Sequence, residues 1–180
     1  MRIIAVRHGE TKYNKERKVM GSRIDAPLTK EGIREVQEAL PKLKESNSTK
    51  IYSSPLLRTK ETAEIIAHEL SLLIEYRDEL KERDVGTLSG EMYEKIAMIT
   101  GYKDINSIEY DYSMYGGESS NDVQRRIQDF LNEVKKKHKN DPAIIVVTHS
   151  QIIRILYLLQ NKSVTNNKVD NVCIHPFTID

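Results

Sequence analysis

Two histidines stand at matching places after two apolar runs of the sequence. His8 comes two residues after Val6, which ends the first run, and His149 comes two residues after Val147, which ends a later one. Both runs predict buried strands, and in an open α/β sheet ligands bind beyond the carboxyl ends of the strands. Neighbouring strands, about 4.8 Å apart, would bring the two imidazoles face to face. The strand order is not contained in the sequence, so two unrelated histidines in separate loops remain an alternative.

The residues beside these histidines suit a phosphate group. Arg7 precedes His8 and Ser150 follows His149, so each histidine has a neighbour that can donate hydrogen bonds to phosphoryl oxygens. Two imidazoles at identical offsets from two strands, each with such a neighbour, are what a shared phosphate-binding site would require.

Alternating strand and helix patterns predict the scaffold that would position these residues. Strands are predicted over residues 2–6, 51–52, 72–76, 143–147 and from 169 onwards, and helices from residue 30 and over 57–70, 118–138 and 152–159. Residues 7–28 read as one long loop, and 77–117 as short helical pieces between glycine turns. Thr29 is expected to cap the helix that begins at Lys30, with Ile33 on its apolar face, and Pro41 to kink it or end it early. The alternation predicts one α/β domain over residues 1–180, a three-layer α/β/α sandwich around a mainly parallel, mixed sheet.

Composition excludes several classes of protein. Lys and Arg total 28 and Asp and Glu total 27 among 180 residues, and this balance argues against a dedicated nucleic-acid or anionic-membrane binder. The single cysteine, Cys173, excludes an internal disulfide and suits a reducing compartment. No apolar run approaches membrane-spanning length and no signal peptide is recognised, so we expect a cytoplasmic protein. A homodimer is compatible with the sequence.

Arg7-His8-Gly9-Glu10-Thr11 resembles the nucleophile signature of the histidine phosphatase superfamily, in branch 1, which includes phosphoglycerate mutases and fructose-2,6-bisphosphatase. The similarity continues in order through nearly the whole chain. Its further segments are Asn14, Gly21, Asp25 to Thr29 with Gly32, Ser53 to Leu56 with Arg58-Thr59 and Glu61-Thr62, Leu80 and Glu82 with Gly86 and Gly90, Gly116 to Ser119, and Val147 to Ser150. Arg-His-Gly alone is a weak signal, whereas this ordered set is specific. The resemblance implies a phosphoglycerate mutase-like fold.

The resemblance also implies a mechanism without a metal or cofactor. It assigns His8 as the nucleophile that forms a phosphohistidine, because a neutral imidazole can attack phosphorus directly. It assigns Arg7 and Arg58 to the phosphoryl oxygens, His149 as a further donor, and Asn14 as a polar contact at the edge.

Other roles depend more heavily on the resemblance. Without it, Arg58 at a helix start near Glu61 would be read as a surface ion pair. Glu82 is implied as the general acid and later base, although it stands in a charged stretch that could simply be solvated. Gly21 and Ser119 are implied at the substrate, and Ser119 could equally be only a helix cap. Four side chains before that cap are candidates for the leaving-group pocket or for simple packing: Tyr110, Tyr112, Met114 and Tyr115.

The resemblance leaves three functions open. A phosphatase acting on a small phosphorylated metabolite is favoured, because the 27 residues between Gly90 and Glu118 contain only two basic residues, Lys95 and Lys103. Mutases of this branch carry an extra basic segment there, and Met20 before Gly21 also departs from their pattern. A phosphoglycerate mutase and a non-catalytic phosphate-binding domain are the alternatives.

Overall fold

The computed structural model describes residues 1–101, 108–160 and 169–179. The strands are β1 (Arg2–Arg7), β2 (Ile51–Ser53), β3 (Ile74–Tyr76), β4 (Ala143–Thr148) and β5 (Ile174–Thr178). The helices are α1 (Lys12–Lys15), α2 (Lys30–Lys44), α3 (Leu57–Leu70), α4 (Tyr93–Thr100), α5 (Ser120–Lys137) and α6 (Ser150–Leu159). The strand and helix positions predicted from apolar periodicity are therefore confirmed with small shifts at the ends, except that β5 begins at Ile174 and not at residue 169.

Within the described residues, five strands form one sheet in the order β3-β2-β4-β1-β5. The pairings of β1 with β4, β4 with β2 and β2 with β3 are parallel, and β5 runs antiparallel to β1 at one edge. The sheet is mainly parallel and mixed, as predicted. Val6 pairs with Val147 and Arg7 with Thr148, so the two strands that precede the histidines are neighbours in register.

The two faces of the sheet bury separate cores, because successive side chains of a strand point to opposite faces. Ile3 and Ala5 of β1 pack in one cluster with residues of α5 and α6. Ile4 and Val6 pack in the other cluster with residues of α2 and α3. Helices therefore cover both faces, and the predicted three-layer sandwich of the phosphoglycerate mutase-like type is confirmed.

Helix α2 runs past its proline. Thr29 caps it as predicted, since its side chain accepts from the amide of Gly32. Of the two effects predicted for Pro41, a kink or an early end, the early end is wrong, because α2 continues to Lys44. Leu43 is fully buried beyond the proline, and its burial favours helical backbone there. Ile33, expected on the apolar face, is 40% exposed.

The sequence predicted one continuous loop over residues 7–28, and this prediction was wrong. The four-residue helix α1 interrupts them, and Thr11 and Asn14 form a reciprocal capping box at its start. The segment 77–117 does contain short helical pieces, namely α4 and single turns at Asp78–Leu80, Gly86–Leu88 and Ser113–Tyr115. Among the described residues, we find no helix with the length and apolar character required to cross a lipid bilayer.

Candidate active site

A pocket that is open to solvent lies where the chain leaves the carboxyl ends of β1 and β4. Arg7 and His8 reach it from β1, and Ser150 from the start of α6. Arg58 reaches it from the first turn of α3, and Glu82 from the segment that follows β3. Side chains separated by more than a hundred residues in sequence therefore meet at this edge of the sheet, where a doubly covered sheet is expected to bind ligands.

The imidazole of His8 is buried and held in one tautomer. Its Nδ1 lies 2.8 Å from the carbonyl oxygen of Gly9. A carbonyl can only accept a hydrogen bond, so Nδ1 carries the proton and Nε2 keeps its lone pair. Burial, then the charges of Arg58 and Arg7, hold the pKa of His8 well below its usual range. The ring is therefore neutral and nucleophilic over the physiological pH range.

Two glycines allow the loop that carries His8 to pack against the start of α2. A Cβ atom on Gly9 would overlap the backbone of Gly32, and one on Gly32 would overlap the backbone of Glu10. The amide of Thr29 also donates to the carbonyl of Glu10 at 2.8 Å. This close approach fixes the backbone immediately after the imidazole, and it explains why glycine is needed at both positions.

Arg58 is a buried cation. Its side chain is 1% exposed, and its terminal nitrogens donate to the carbonyls of Gly21 at 2.9 Å and Ile24 at 3.0 Å. The alternative of a surface ion pair is therefore wrong, and Glu61 instead accepts from the amide of Leu28 at 2.7 Å. Burial lowers the pKa of Arg58 to about 10, so it remains charged at neutral pH.

His149 packs against His8 edge to face, with ring centroids 5.3 Å apart. The ring is fully buried, and its Nε2 lies 2.9 Å from the hydroxyl oxygen of Ser54. Burial, then the charges of Arg58 and His8, hold the pKa of His149 well below its usual range. When the Ser54 hydroxyl donates this hydrogen bond, the ring proton lies on Nδ1, which makes Nδ1 a donor.

Three buried nitrogens of these residues have no hydrogen-bond partner within the described part of the chain. They are Nε of Arg7, Nε of Arg58 and Nδ1 of His149. Arg7 uses a terminal nitrogen to donate to the carbonyl of Val169 at 2.7 Å, and burial lowers its pKa. Buried donors are rarely left unpaired in folded proteins. Arg7 and Arg58 line the pocket and supply fixed positive charge for an anion with several oxygens, whereas His149 is not among the lining residues and packs behind His8.

Glu82 is the acidic residue among those that line the pocket. One carboxylate oxygen accepts from the amide of Arg83 at 2.9 Å, and the other from the hydroxyl of Ser150 at 3.4 Å. Burial raises the pKa of Glu82 above its usual value, although that amide and the charges of Arg58 and Arg7 oppose the rise. A carboxyl in this setting can donate a proton closer to neutral pH than a solvated one.

The structure brings some of the remaining predicted residues to the pocket and leaves others outside it. Asn14 and Gly21 both line it, although Oδ1 of Asn14 is also used in the cap of α1. Ser119 does not line it; its hydroxyl caps α5 by accepting from the amide of Asp122 at 3.2 Å. Tyr112 lines the pocket, whereas Met114 is 75% exposed.

Two groups of pocket residues were not predicted from the sequence. Lys18 follows α1 and Tyr93 is the first residue of α4. An isolated bridge between Lys18 and Met92 joins the two segments, and no periodic pattern signals that bridge. Arg83 is 1% exposed and lies over the ring of Tyr112, with 4.7 Å from the guanidinium carbon to the ring centroid. The charged stretch around Glu82 is therefore not simply solvated, and its arginine is part of the core.

Comparison with known proteins identifies the family of this chain. The model of the histidine phosphatase superfamily (branch 1) matches residues 3–180. Phosphoglycerate mutase-like protein 4 of Arabidopsis thaliana is 36% identical over 183 residues, which cover 98% of this chain and 79% of that protein. The metal-independent phosphoserine phosphatase of Arabidopsis thaliana is 34% identical over 179 residues, which cover 96% of this chain and 74% of that protein.

A solved structure shows the same fold. Phosphoglycerate mutase from Bacillus anthracis superposes with a TM-score of 0.85 at 22% identity, over 98% of this chain and 86% of that chain. The fold is thus of the phosphoglycerate mutase-like α/β class. The chain belongs to branch 1 of the histidine phosphatase superfamily. This membership makes it an enzyme of the phosphatase class, as the resemblance implied.

Proposed function

We propose that the protein is a metal-independent phosphatase that hydrolyses small phosphomonoesters through a phosphohistidine on His8. The observation that carries this proposal is the state of the His8 ring. It is buried and neutral, its Nδ1 is bound to the carbonyl of Gly9, and its Nε2 is free to react beside two guanidinium groups. Phosphoryl transfer requires a nucleophile and fixed positive charge around the phosphoryl oxygens, and this site supplies both.

In the first step, Arg7 and Arg58, which line the pocket, and His149, which packs against His8, hold the phosphoryl oxygens. Nε2 of His8 forms a bond to phosphorus while the bond from phosphorus to the ester oxygen breaks. Glu82 gives its proton to that oxygen, and the substrate leaves as an alcohol. The raised pKa of Glu82 supports this role, since the carboxyl must be protonated when the bond breaks.

In the second step, the Glu82 carboxylate takes a proton from water as the water oxygen bonds to phosphorus. The bond between phosphorus and Nε2 of His8 breaks, inorganic phosphate leaves, and both residues return to their starting states. The guanidinium groups neutralise the phosphoryl charge in both steps, a role that metal ions fill in other phosphatases.

The proposed substrates are small metabolites such as phosphoserine and the phosphoglycerates. The similarity to a metal-independent phosphoserine phosphatase supports this class. Lys18 adds one cation to a pocket wall that is otherwise formed in part by Val19, Met20 and Tyr93, so an anionic group on the leaving alcohol would have a partner. Hydrolysis is proposed over mutase activity because the segment after Gly90 lacks a basic cluster.

The test is an assay with a chelator present on p-nitrophenyl phosphate, phosphoserine, phosphoglycerates and sugar phosphates. We expect free phosphate from at least one alkyl ester, and a loss of about a thousandfold or more in His8→Ala. Phosphoglycerate isomerised with little free phosphate would instead establish a mutase. A folded protein without turnover on any of these esters would contradict the proposal and favour a binding domain.

A further inference from the structure

Glu118 and Arg126 form a two-pronged ion pair next to the active site. Nε of Arg126 donates to one carboxylate oxygen of Glu118 at 2.9 Å, and a terminal nitrogen donates to the other at 3.0 Å. Arg126 lies on α5, and Glu118 lies just before that helix. The side chains are only 19% and 27% exposed, respectively, so solvent screens this pair less than it screens a surface pair.

Both members of the pair also bind the backbone around Glu82. Arg126 donates to the carbonyl of Lys81 at 2.8 Å, to that of Glu79, and to that of Glu82 itself at 3.5 Å. On the other side of Glu82, the carboxylate of Glu118 accepts from the amide of Asp84 at 2.8 Å. The backbone of Glu118 also donates to the carbonyl of Asp84 at 2.9 Å. The chain is therefore held immediately before and after Glu82.

The segment that carries Glu82 has little regular structure of its own. It follows the single turn at Asp78–Leu80 and precedes the one at Gly86–Leu88. Its anchorage to the sheet lies in the turn before it, where Leu80 is buried in the core and the hydroxyl of Thr148 donates to the carbonyl of Leu80 at 2.9 Å. Beyond that turn, the backbone on either side of Glu82 is held by the Glu118–Arg126 pair.

We propose that the Glu118–Arg126 ion pair is a positioning device that holds the Glu82 carboxyl where it can protonate the leaving oxygen. The inference rests on the acid role proposed for Glu82. Neither Glu118 nor Arg126 lines the pocket, so both act through the backbone that they bind and not through contact with substrate. A displacement of about 1 Å at a reacting group can cost about a hundredfold in rate, so such a device has a measurable effect.

The test compares substrates that need the acid with one that does not. Arg126→Lys keeps the charge but cannot bind both Glu118 oxygens and the carbonyls, and Glu118→Gln keeps the shape but removes the charge. We expect each to lower kcat/KM, which reports only the steps up to departure of the alcohol, about 10-fold or more on an alkyl phosphate and by less than about 3-fold on p-nitrophenyl phosphate. Arg125→Lys is the matched control, because Arg125 is the adjacent arginine, is 72% exposed and pairs with Asp122. It should change neither rate.

The same experiment separates this inference from the acid assignment. Glu82→Gln is measured alongside, and its kcat/KM should show a larger selective loss on the alkyl ester. If Glu82→Gln shows that loss while the Arg126 and Glu118 variants do not, or lose kcat/KM equally on both substrates, the positioning role is overturned and the acid role stands. If Glu82→Gln lowers kcat/KM equally on both substrates, the acid role fails and the positioning role fails with it. Circular dichroism confirms the fold of each variant, and Glu118→Gln decides the question if Arg126→Lys does not fold.

Discussion

At the scale of single residues, the site depends on two imidazoles that are kept neutral by their surroundings. His8 is 2% exposed and His149 is fully buried, and both lie within the field of Arg58. The same environment that makes Nε2 of His8 a nucleophile makes a charge on either ring costly in the folded state. Stability and reactivity are therefore linked through the same two groups.

This linkage predicts how stability depends on pH. Both histidines have pKa values well below the ordinary 6.5 when folded, and they regain that value on unfolding. The unfolded chain then binds more protons below about pH 6.5, so the free energy of unfolding falls as pH falls, by up to about 1.4 kcal/mol per pH unit for each ring. Glu82 has the opposite effect on stability. Because its pKa is raised in the folded state, the folded protein binds more protons at this carboxyl than the unfolded chain does just above pH 4.5. Because two rings act against one carboxyl, we expect the free energy of unfolding to fall between about pH 7.5 and about pH 5.5.

Urea denaturation of the wild type and of His8→Gln measures this effect. The variant removes one of the two rings, so its loss of stability over the same pH interval should be smaller than that of the wild type. A free energy of unfolding that rises on acidification, or an unchanged slope in His8→Gln, would contradict the account of a neutral buried ring.

At the scale of elements, α2 contains a local conflict that the tertiary structure overrides. Pro41 lies inside the helix, where it removes one backbone hydrogen bond, yet α2 continues to Lys44 with Leu43 fully buried. Because Pro41 is exposed, Pro41→Ala changes the backbone and little packing. We expect the free energy of unfolding to rise by about 1 to 2 kcal/mol. The restored backbone hydrogen bond stabilises the helix, and the greater conformational entropy of the unfolded chain without proline offsets part of that gain.

Chemical denaturation at neutral pH measures this change, with Lys42→Ala as the control. Lys42 is the next residue and is also exposed, so its replacement should alter stability by less than about 0.5 kcal/mol. A less stable Pro41→Ala would mean that the proline suits the local geometry and that the helix is not strained there.

Elements with a strong apolar pattern were predicted well, and those held by polar contacts were not. The helix over residues 57–70 was predicted with the bounds that α3 has, and the strands that precede His8 and His149 followed from their apolar runs. The helix α1 was missed, because it is four residues long and buries none of them. Its stability comes from the cap between Thr11 and Asn14, which only the three-dimensional contacts reveal.

At the scale of the whole molecule, the site exists only because the topology places distant segments together. The spacing of the histidines could suggest a shared site, but the adjacency of β1 and β4 settles whether they meet. The site roles of Arg58 and Glu82 were predicted only from the family resemblance. Taken alone, the position of Arg58 at a helix start and that of Glu82 in a charged stretch predict exposed side chains. The ion pair between Arg126 and Glu118 could not be predicted from the sequence, because Arg125 and Arg126 are adjacent on the same helix turn. Only the packing of α5 shows that Arg126 is largely buried and Arg125 is exposed.

The proposed mechanism passes through a covalent intermediate on His8, and trapping that intermediate tests it directly. Glu82→Gln would be mixed with p-nitrophenyl phosphate, quenched in alkaline denaturant and digested for mass spectrometry. The aryl ester needs no acid to leave, whereas water needs the base, so the intermediate should accumulate in this variant. The account predicts one phosphoryl group on His8, absent when His8→Ala is added to the variant. Phosphate release without any phosphorylated peptide, or a phosphoryl group on another residue, would contradict it.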